Sequence, residues 1–81
     1  MTVHIQFFSY FKELTDCATV TEDLPDASSI ADLRQKLFTR FPKLAEMNRA
    51  MLIAVGVEYQ TEDYILRDGD EVSFFPPVQG G

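Results

Sequence analysis

Few residues in this 81-residue sequence carry reactive groups, and the most suggestive are the last two, Gly80 and Gly81. A carboxylate is a poor electrophile, so substitution at Gly81 requires activation first, most simply as an acyl-adenylate formed from ATP. Glycines remove every side chain that would hinder that attack, and Pro76-Pro77 stiffen the approach to them into an extended form. The stretch from Pro76 to Gly81 reaches at most roughly 20 Å, enough to carry a carboxylate into a narrow site on another protein. Gly-Gly alone is a weak signal, because chain ends are commonly loose and often contain glycine. Phe74-Phe75-Pro76-Pro77-Val78 immediately ahead of Gln79-Gly80-Gly81 sharpens it.

The other candidates lack companions. His4 and Cys17 have no second ligand or nucleophile partner nearby in sequence, so neither a metal site nor a catalytic pair is expected. A single cysteine also rules out a disulfide framework within the chain and any all-cysteine cluster. Asp68 and Asp70 flank Gly69, a pattern that shapes a hairpin turn rather than paired-carboxylate chemistry. Glu58, Glu62, Asp63, Asp68, Asp70 and Glu71 crowd one stretch, suited to a solvated face or to steering a basic partner.

These residues need elements to hold them. Thr2 to Phe8 alternates, with Val3, Ile5 and Phe7 facing a core and His4, Gln6 and Phe8 facing away. Ser9 to Leu14 reads as a turn, and Ala18 to Leu24 as a second strand completing an antiparallel hairpin. Ile30, Leu33, Leu37 and Phe41 recur at helical spacing behind a capping box made by Ser29 and Asp32. Pro42 ends that helix, and Lys43 to Arg49 reads as a connector. Met51 to Val57 fits a central strand with Gly56 turning into Glu58 to Gln60, and Tyr64 to Leu66 fits a further short strand. Glu71 to Phe75 alternates again, with Val72 and Phe74 on one face and Ser73 and Phe75 on the other. The order implies an α+β fold, a mixed sheet packed on one side by one main helix, and among such folds the ubiquitin-like β-grasp.

Composition sets the outer limits. The chain has room for one core, expected over residues 1–75, with residues 76–81 as an extended, flexible tail. Its 46% hydrophobic and 25% charged content is that of a globular domain. A net charge of −6 repels phosphate backbones, so nucleic acid is not an expected partner. No apolar run approaches the length of a membrane span and no signal-peptide pattern opens the chain, which points to a cytoplasmic protein with no membrane partner.

The run Asp68-Gly69-Asp70-Glu71-Val72-Ser73-Phe74-Phe75-Pro76-Pro77-Val78-Gln79-Gly80-Gly81 resembles the C-terminus of the small, sulfur-carrier subunits of molybdopterin synthase, the MoaD family. Phe7-Phe8 ending the first strand, Lys12-Glu13-Leu14 and the total length extend the likeness along the chain. Gly56 departs from the Asn that relatives often carry after Ala54-Val55, although both residue types tolerate positive φ. The resemblance implies a β-grasp fold and a cycle in which an ATP-dependent activating enzyme adenylates Gly81. A sulfur donor protein then supplies the sulfur of a Gly81 thiocarboxylate, and the synthase large subunit passes it to a cyclic pyranopterin precursor, building the molybdopterin dithiolene. It further implies that the catalytic pocket lies mainly on the large subunit, that two carriers are consumed per dithiolene in a heterotetramer, and that this chain, no enzyme on its own, binds no permanent cofactor.

Strand parity leaves Phe8 and Phe75 pointing outward, and with Tyr59 they are candidates for an apolar docking patch at the base of the tail. Pro76, Pro77, Val78 and Gln79 join them as partner-binding candidates, with Gly80 and Gly81 as the reactive end. Three other readings stand beside this one: a sulfur carrier for thiamine thiazole synthesis or another thiolation pathway, a ubiquitin-like modifier forming isopeptide bonds to lysines, and an interaction module with an inert tail.

Overall fold

A computed structural model of the protein describes residues 1–46 and 51–77. Its elements are β1 (Thr2–Phe7), α1 (Phe11–Thr15), β2 (Thr19–Asp23), α2 (Ile30–Arg40), α3 (Pro42–Ala45), β3 (Leu52–Val55), β4 (Glu58–Tyr59) and β5 (Glu71–Phe75). The strands form one sheet in the order β2-β1-β5-β3-β4. Only β1 and β5 run parallel; the other three pairings are antiparallel. With α2 on one face, this is the mixed-sheet β-grasp arrangement that the element order implies.

Alternation positions the core as the sequence suggests. Val3, Ile5 and Phe7 of β1 and Val72 and Phe74 of β5 are buried, and they meet Ile30, Leu33 and Leu37 from one side of α2. Phe7 is edge-on to Phe41, with ring centroids 5.7 Å apart, and tilted against Phe74 at 5.9 Å. The Ser29–Asp32 capping box is present: Asp32 N–H donates to Ser29 Oγ (3.2 Å) and Ser29 N–H to Asp32 Oδ2 (2.9 Å). It satisfies donors that the first helical turn leaves without partners.

The sequence reading is corrected at five places. Ser9 to Leu14, expected as a turn, contains most of α1. A helix this short is not held by propensity; its Phe11 is fully buried, and Thr15 Oγ1 donates to Phe11 O at 3.0 Å and contacts Cys17 O at 2.9 Å. The connector expected from Lys43 begins instead within α3, where Pro42 suits a first-turn position that lacks an N–H partner anyway and Leu44 is fully buried. Residues 47–49 of that connector lie outside the described residues.

Tyr64 to Leu66 makes a single bridge, Ile65 to Ser29, rather than a strand. Its neighbourhood closes the start of α2 instead: Ile30 N–H donates to Tyr64 O (3.0 Å), Ala31 N–H to Glu62 O (2.9 Å), and Leu66 N–H to Ser28 O (2.8 Å). Finally, the turn at Gly69 (φ +85°) is real but joins no hairpin, because β5 pairs with β1 and β3. Asp68 Oδ1 accepts from Thr2 N–H (2.8 Å), Asp70 Oδ2 from Arg67 N–H (2.9 Å), and Gly69 N–H donates to Thr2 O (2.8 Å). The turn therefore pins the entry of β5 beside the start of β1. β3 is interior, as expected, but the middle place in the sheet belongs to β5.

At the β3–β4 connection Gly56 adopts φ +62°, the left-handed conformation the sequence calls for. No helix among the described residues is long and apolar enough to cross a membrane.

Phe11→Ala will cost about 3–5 kcal/mol in urea unfolding, as for a core aromatic, where a plain turn residue would cost a fraction of that. Ser29→Ala will cost about 1 kcal/mol through loss of the cap. Asp63 is held below its ordinary 3.8, first by the Thr61 hydroxyl and then by its own backbone N–H. Its contribution to stability is therefore complete above 3.8 and fades as pH falls through the lower, folded value. Carbon-detected titration will show Thr61→Val moving Asp63 back up.

Candidate functional site

The sheet face opposite α2 carries the residues that alternation turns away from the core. The β1·β5 register places Phe7 beside Phe74 on the helix side. One residue further, Phe8 N–H donates to Phe74 O at 3.1 Å, extending the ladder past β1 and leaving Phe8 beside Phe75 on the open side. Their rings stack with centroids 4.6 Å apart and planes 13° from parallel. Such a pair contributes about 0.5–1.5 kcal/mol beyond the area it buries. Across the sheet, β4 brings Tyr59 edge-on to Phe75, with centroids 6.2 Å apart and planes at 74°.

The three aromatics named from sequence thus come together at one end of the open face. Phe8 is 37% exposed and Tyr59 68%, while Phe75 between them is half-buried. Leu52, which the sequence reading passed over, completes the patch: it lies opposite Phe75 in the β3·β5 register and is 38% exposed. Its signal was present in the run Leu52-Ile53-Ala54-Val55, where an inward Ile53 requires an outward Leu52. Pro76 and Pro77 follow Phe75 directly and are half-buried. Val78, Gln79, Gly80 and Gly81 lie outside the described residues.

The remaining sequence candidates are elsewhere. His4 is exposed on the open face beside Glu71, at the opposite end of β5 from Phe75. Cys17 is half-buried, its Sγ 3.3 Å from Thr15 O. Among the described residues no group of three or more His, Cys, Asp or Glu side chains could hold a metal ion. The acidic stretch is partly structural: Glu62 pairs with Arg34, Asp63 accepts from Thr61, and Asp68 and Asp70 accept backbone N–H groups. What this surface offers is partly exposed aromatic and aliphatic area at the strand end that leads to Pro76-Pro77. Burial of that area against another protein is favourable at about 25 cal/mol per Å² of apolar surface.

Comparison with known proteins places the chain in a family. The ThiS family model matches residues 5–81. The molybdopterin synthase sulfur carrier subunit of Escherichia coli is 37% identical over 83 residues, covering 98% of this chain and 99% of the relative. A putative molybdopterin converting factor subunit 1 from Pyrococcus furiosus superposes with a TM-score of 0.89 at 29% identity, over 96% of this chain and 99% of its own. A chain in a protein–protein complex of subunits 1 and 2 of the Helicobacter pylori molybdopterin-converting factor matches with a TM-score of 0.71 and 26% identity, over the whole of both chains. By sequence along nearly its full length and by its ubiquitin-like β-grasp fold, the chain belongs to the ThiS family, together with the sulfur carrier subunits of molybdopterin synthase.

Proposed function

We propose that this chain is the sulfur-carrier subunit of a molybdopterin synthase, with residues 1–75 as the docking domain and residues 76–81 as the arm that delivers sulfur. The observation that carries this reading is the Phe8–Phe75–Tyr59 cluster, set where β5 runs into Pro76-Pro77-Val78-Gln79-Gly80-Gly81. A surface that binds a partner at the root of a slender arm fixes where the arm's end arrives.

The chemistry follows from the carboxylate of Gly81. In the active site of an activating enzyme, a carboxylate oxygen attacks the α-phosphorus of ATP and pyrophosphate leaves. A sulfur donor protein then delivers sulfide-level sulfur, which attacks the acyl carbon; the acyl C–O bond breaks, AMP leaves with that oxygen, and sulfur stands in its place. The thiocarboxylate is a good sulfur nucleophile; once its sulfur is bonded to the acceptor, water attacks the Gly81 carbonyl carbon, the acyl C–S bond breaks with the sulfur staying on the acceptor, and the carboxylate is regenerated for another cycle. The synthase large subunit would receive the arm and hold the cyclic pyranopterin, taking one sulfur from each of two carriers to form the dithiolene. ATP is bound by the activating enzyme, and this chain acts as the reagent.

Docking through Phe8, Tyr59, Phe75 and Leu52 concentrates binding energy in a few aromatic anchors near the arm, while Pro76 and Pro77 limit the conformations the arm loses on insertion. The activating enzyme and the large subunit would use the same patch in turn, so one carrier engages one of them at a time.

Intact mass measured after incubation with ATP, a candidate activating enzyme and a sulfur donor will rise by the difference between one sulfur and one oxygen. A form lacking Gly81 will show no gain. Lysine-linked adducts without a thiocarboxylate would overturn the proposal in favour of a conjugating modifier. Calorimetric titration with the large subunit will show Phe75→Ser weakening binding by about 2 kcal/mol, roughly thirtyfold. Thr39→Ala, on the exposed side of α2, will leave it unchanged.

A further inference from the structure

β2 is an edge strand, and its outer side is held by side chains rather than by another strand. Phe7 N–H donates to Ala18 O and Leu24 N–H to Met1 O, both at 2.8 Å, so the even-numbered residues of this segment face β1. In an antiparallel pair the alternate residues then turn their N–H and C=O groups outward, and these are Thr19, Thr21 and Asp23. Arg40 Nη1 donates to Thr21 O at 3.3 Å, and Lys36 Nζ donates to Asp23 O. Two cations one helical turn apart on α2 thus occupy two of the three outward carbonyls.

The cations are themselves held in place. Glu22, only 8% exposed, has Oε2 2.9 Å from Arg40 Nη1 and Oε1 3.5 Å from Lys36 Nζ. The Arg40 guanidinium also lies 5.1 Å over the ring of Phe41. Open clefts of 520 and 600 Å³ border Arg40, one toward α2 and one toward the open sheet face. The edge is therefore closed by a reversible latch of side chains, with space around it.

We infer that the Glu22–Lys36–Arg40 latch keeps β2 from adding a strand, and that the occupant it excludes is β2 of a second copy of this chain. An unguarded edge templates pairing, and the sequence of β2 permits a two-fold pairing about Thr21. In a two-fold antiparallel pair Thr21 faces Thr21, a favourable cross-strand match. Thr19 then faces Asp23 and Val20 faces Glu22, so no like charges stand opposite one another. The opposite edge of the sheet, β4, is two residues long and offers far less to pair with. The latch keeps the carrier monomeric without covering the Phe8–Phe75 patch, which lies on the sheet face and not on this edge.

The test opens the latch and reads molecular mass. A Glu22→Gln/Lys36→Met/Arg40→Met variant keeps the side-chain stems and leaves no buried charge unpaired. Arg40→Met alone is the milder form should the triple variant not fold. Sedimentation equilibrium on folded variant is expected to show reversible association from 9.2 kDa toward twice that mass, at least about tenfold tighter than for the native chain. Adding Thr21→Pro, which removes an outward N–H at a position where an edge strand tolerates proline, should restore the monomer. A folded open variant that stays monomeric at the concentrations used for the native chain overturns the inference. So does a dimer that survives Thr21→Pro but is abolished by Phe75→Ser, since that dimer would form through the aromatic patch.

Discussion

The parallel pairing of β1 with β5 is the constraint on which the rest of the molecule depends. It joins residues 4 to 7 with residues 71 to 74, from opposite ends of the described chain, and makes β5 the middle of the sheet. The same register aligns Phe74 with Phe7 over the core and leaves Phe75 beside Phe8 on the far side. A slip of one residue would exchange the two faces, driving Phe75 under α2 and presenting Phe74 to solvent. Core and aromatic patch are thus two readings of one register. The Asp68–Asp70 turn, tied to both the N–H and the C=O of Thr2, sets that register where β5 begins.

What the sequence made legible was what is written locally. Alternation in Thr2–Phe8 and Glu71–Phe75 identified both strands, their buried faces and the outward Phe8 and Phe75. Ser29 and Asp32 announced the start of α2, because a capping box lies within four residues. What stayed hidden depends on partners remote in sequence. The helices α1 and α3 are too short to be favoured by propensity, and each is anchored by one fully buried residue, Phe11 or Leu44. Residues 64 to 66 look like a strand but give their backbone groups to the start of α2, which no local pattern encodes. Leu52 belongs to the patch only because β3 lies against β5. The chemistry proposed for Gly81 rests on residue type and on resemblance, and Gly81 lies outside the described residues.

Charge is distributed with the same division of labour. Arg34 and Glu62 tie α2 to the segment that follows β4, and Lys36 and Arg40 reach across to β2. In a chain with a net charge of −6, several of the seven basic side chains are thus occupied by the chain's own acids or carbonyls. Of the exposed acids that remain, Glu71 lies at the far end of β5 from Phe75, whereas Glu58 directly precedes Tyr59 in β4.

The central place of β5 also governs how the molecule comes into being. On a ribosome, β1, β2 and α2 emerge first, yet the gap between β1 and β3 stays open until residues 71 to 75 arrive. The last described strand must enter the middle of the sheet, so closure waits on a contact spanning most of the chain, a topology associated with slower folding. Phe75 takes its place beside Phe8 in that same step. The aromatic cluster is therefore assembled only when the core closes, and an unfinished chain has no completed surface to offer a partner.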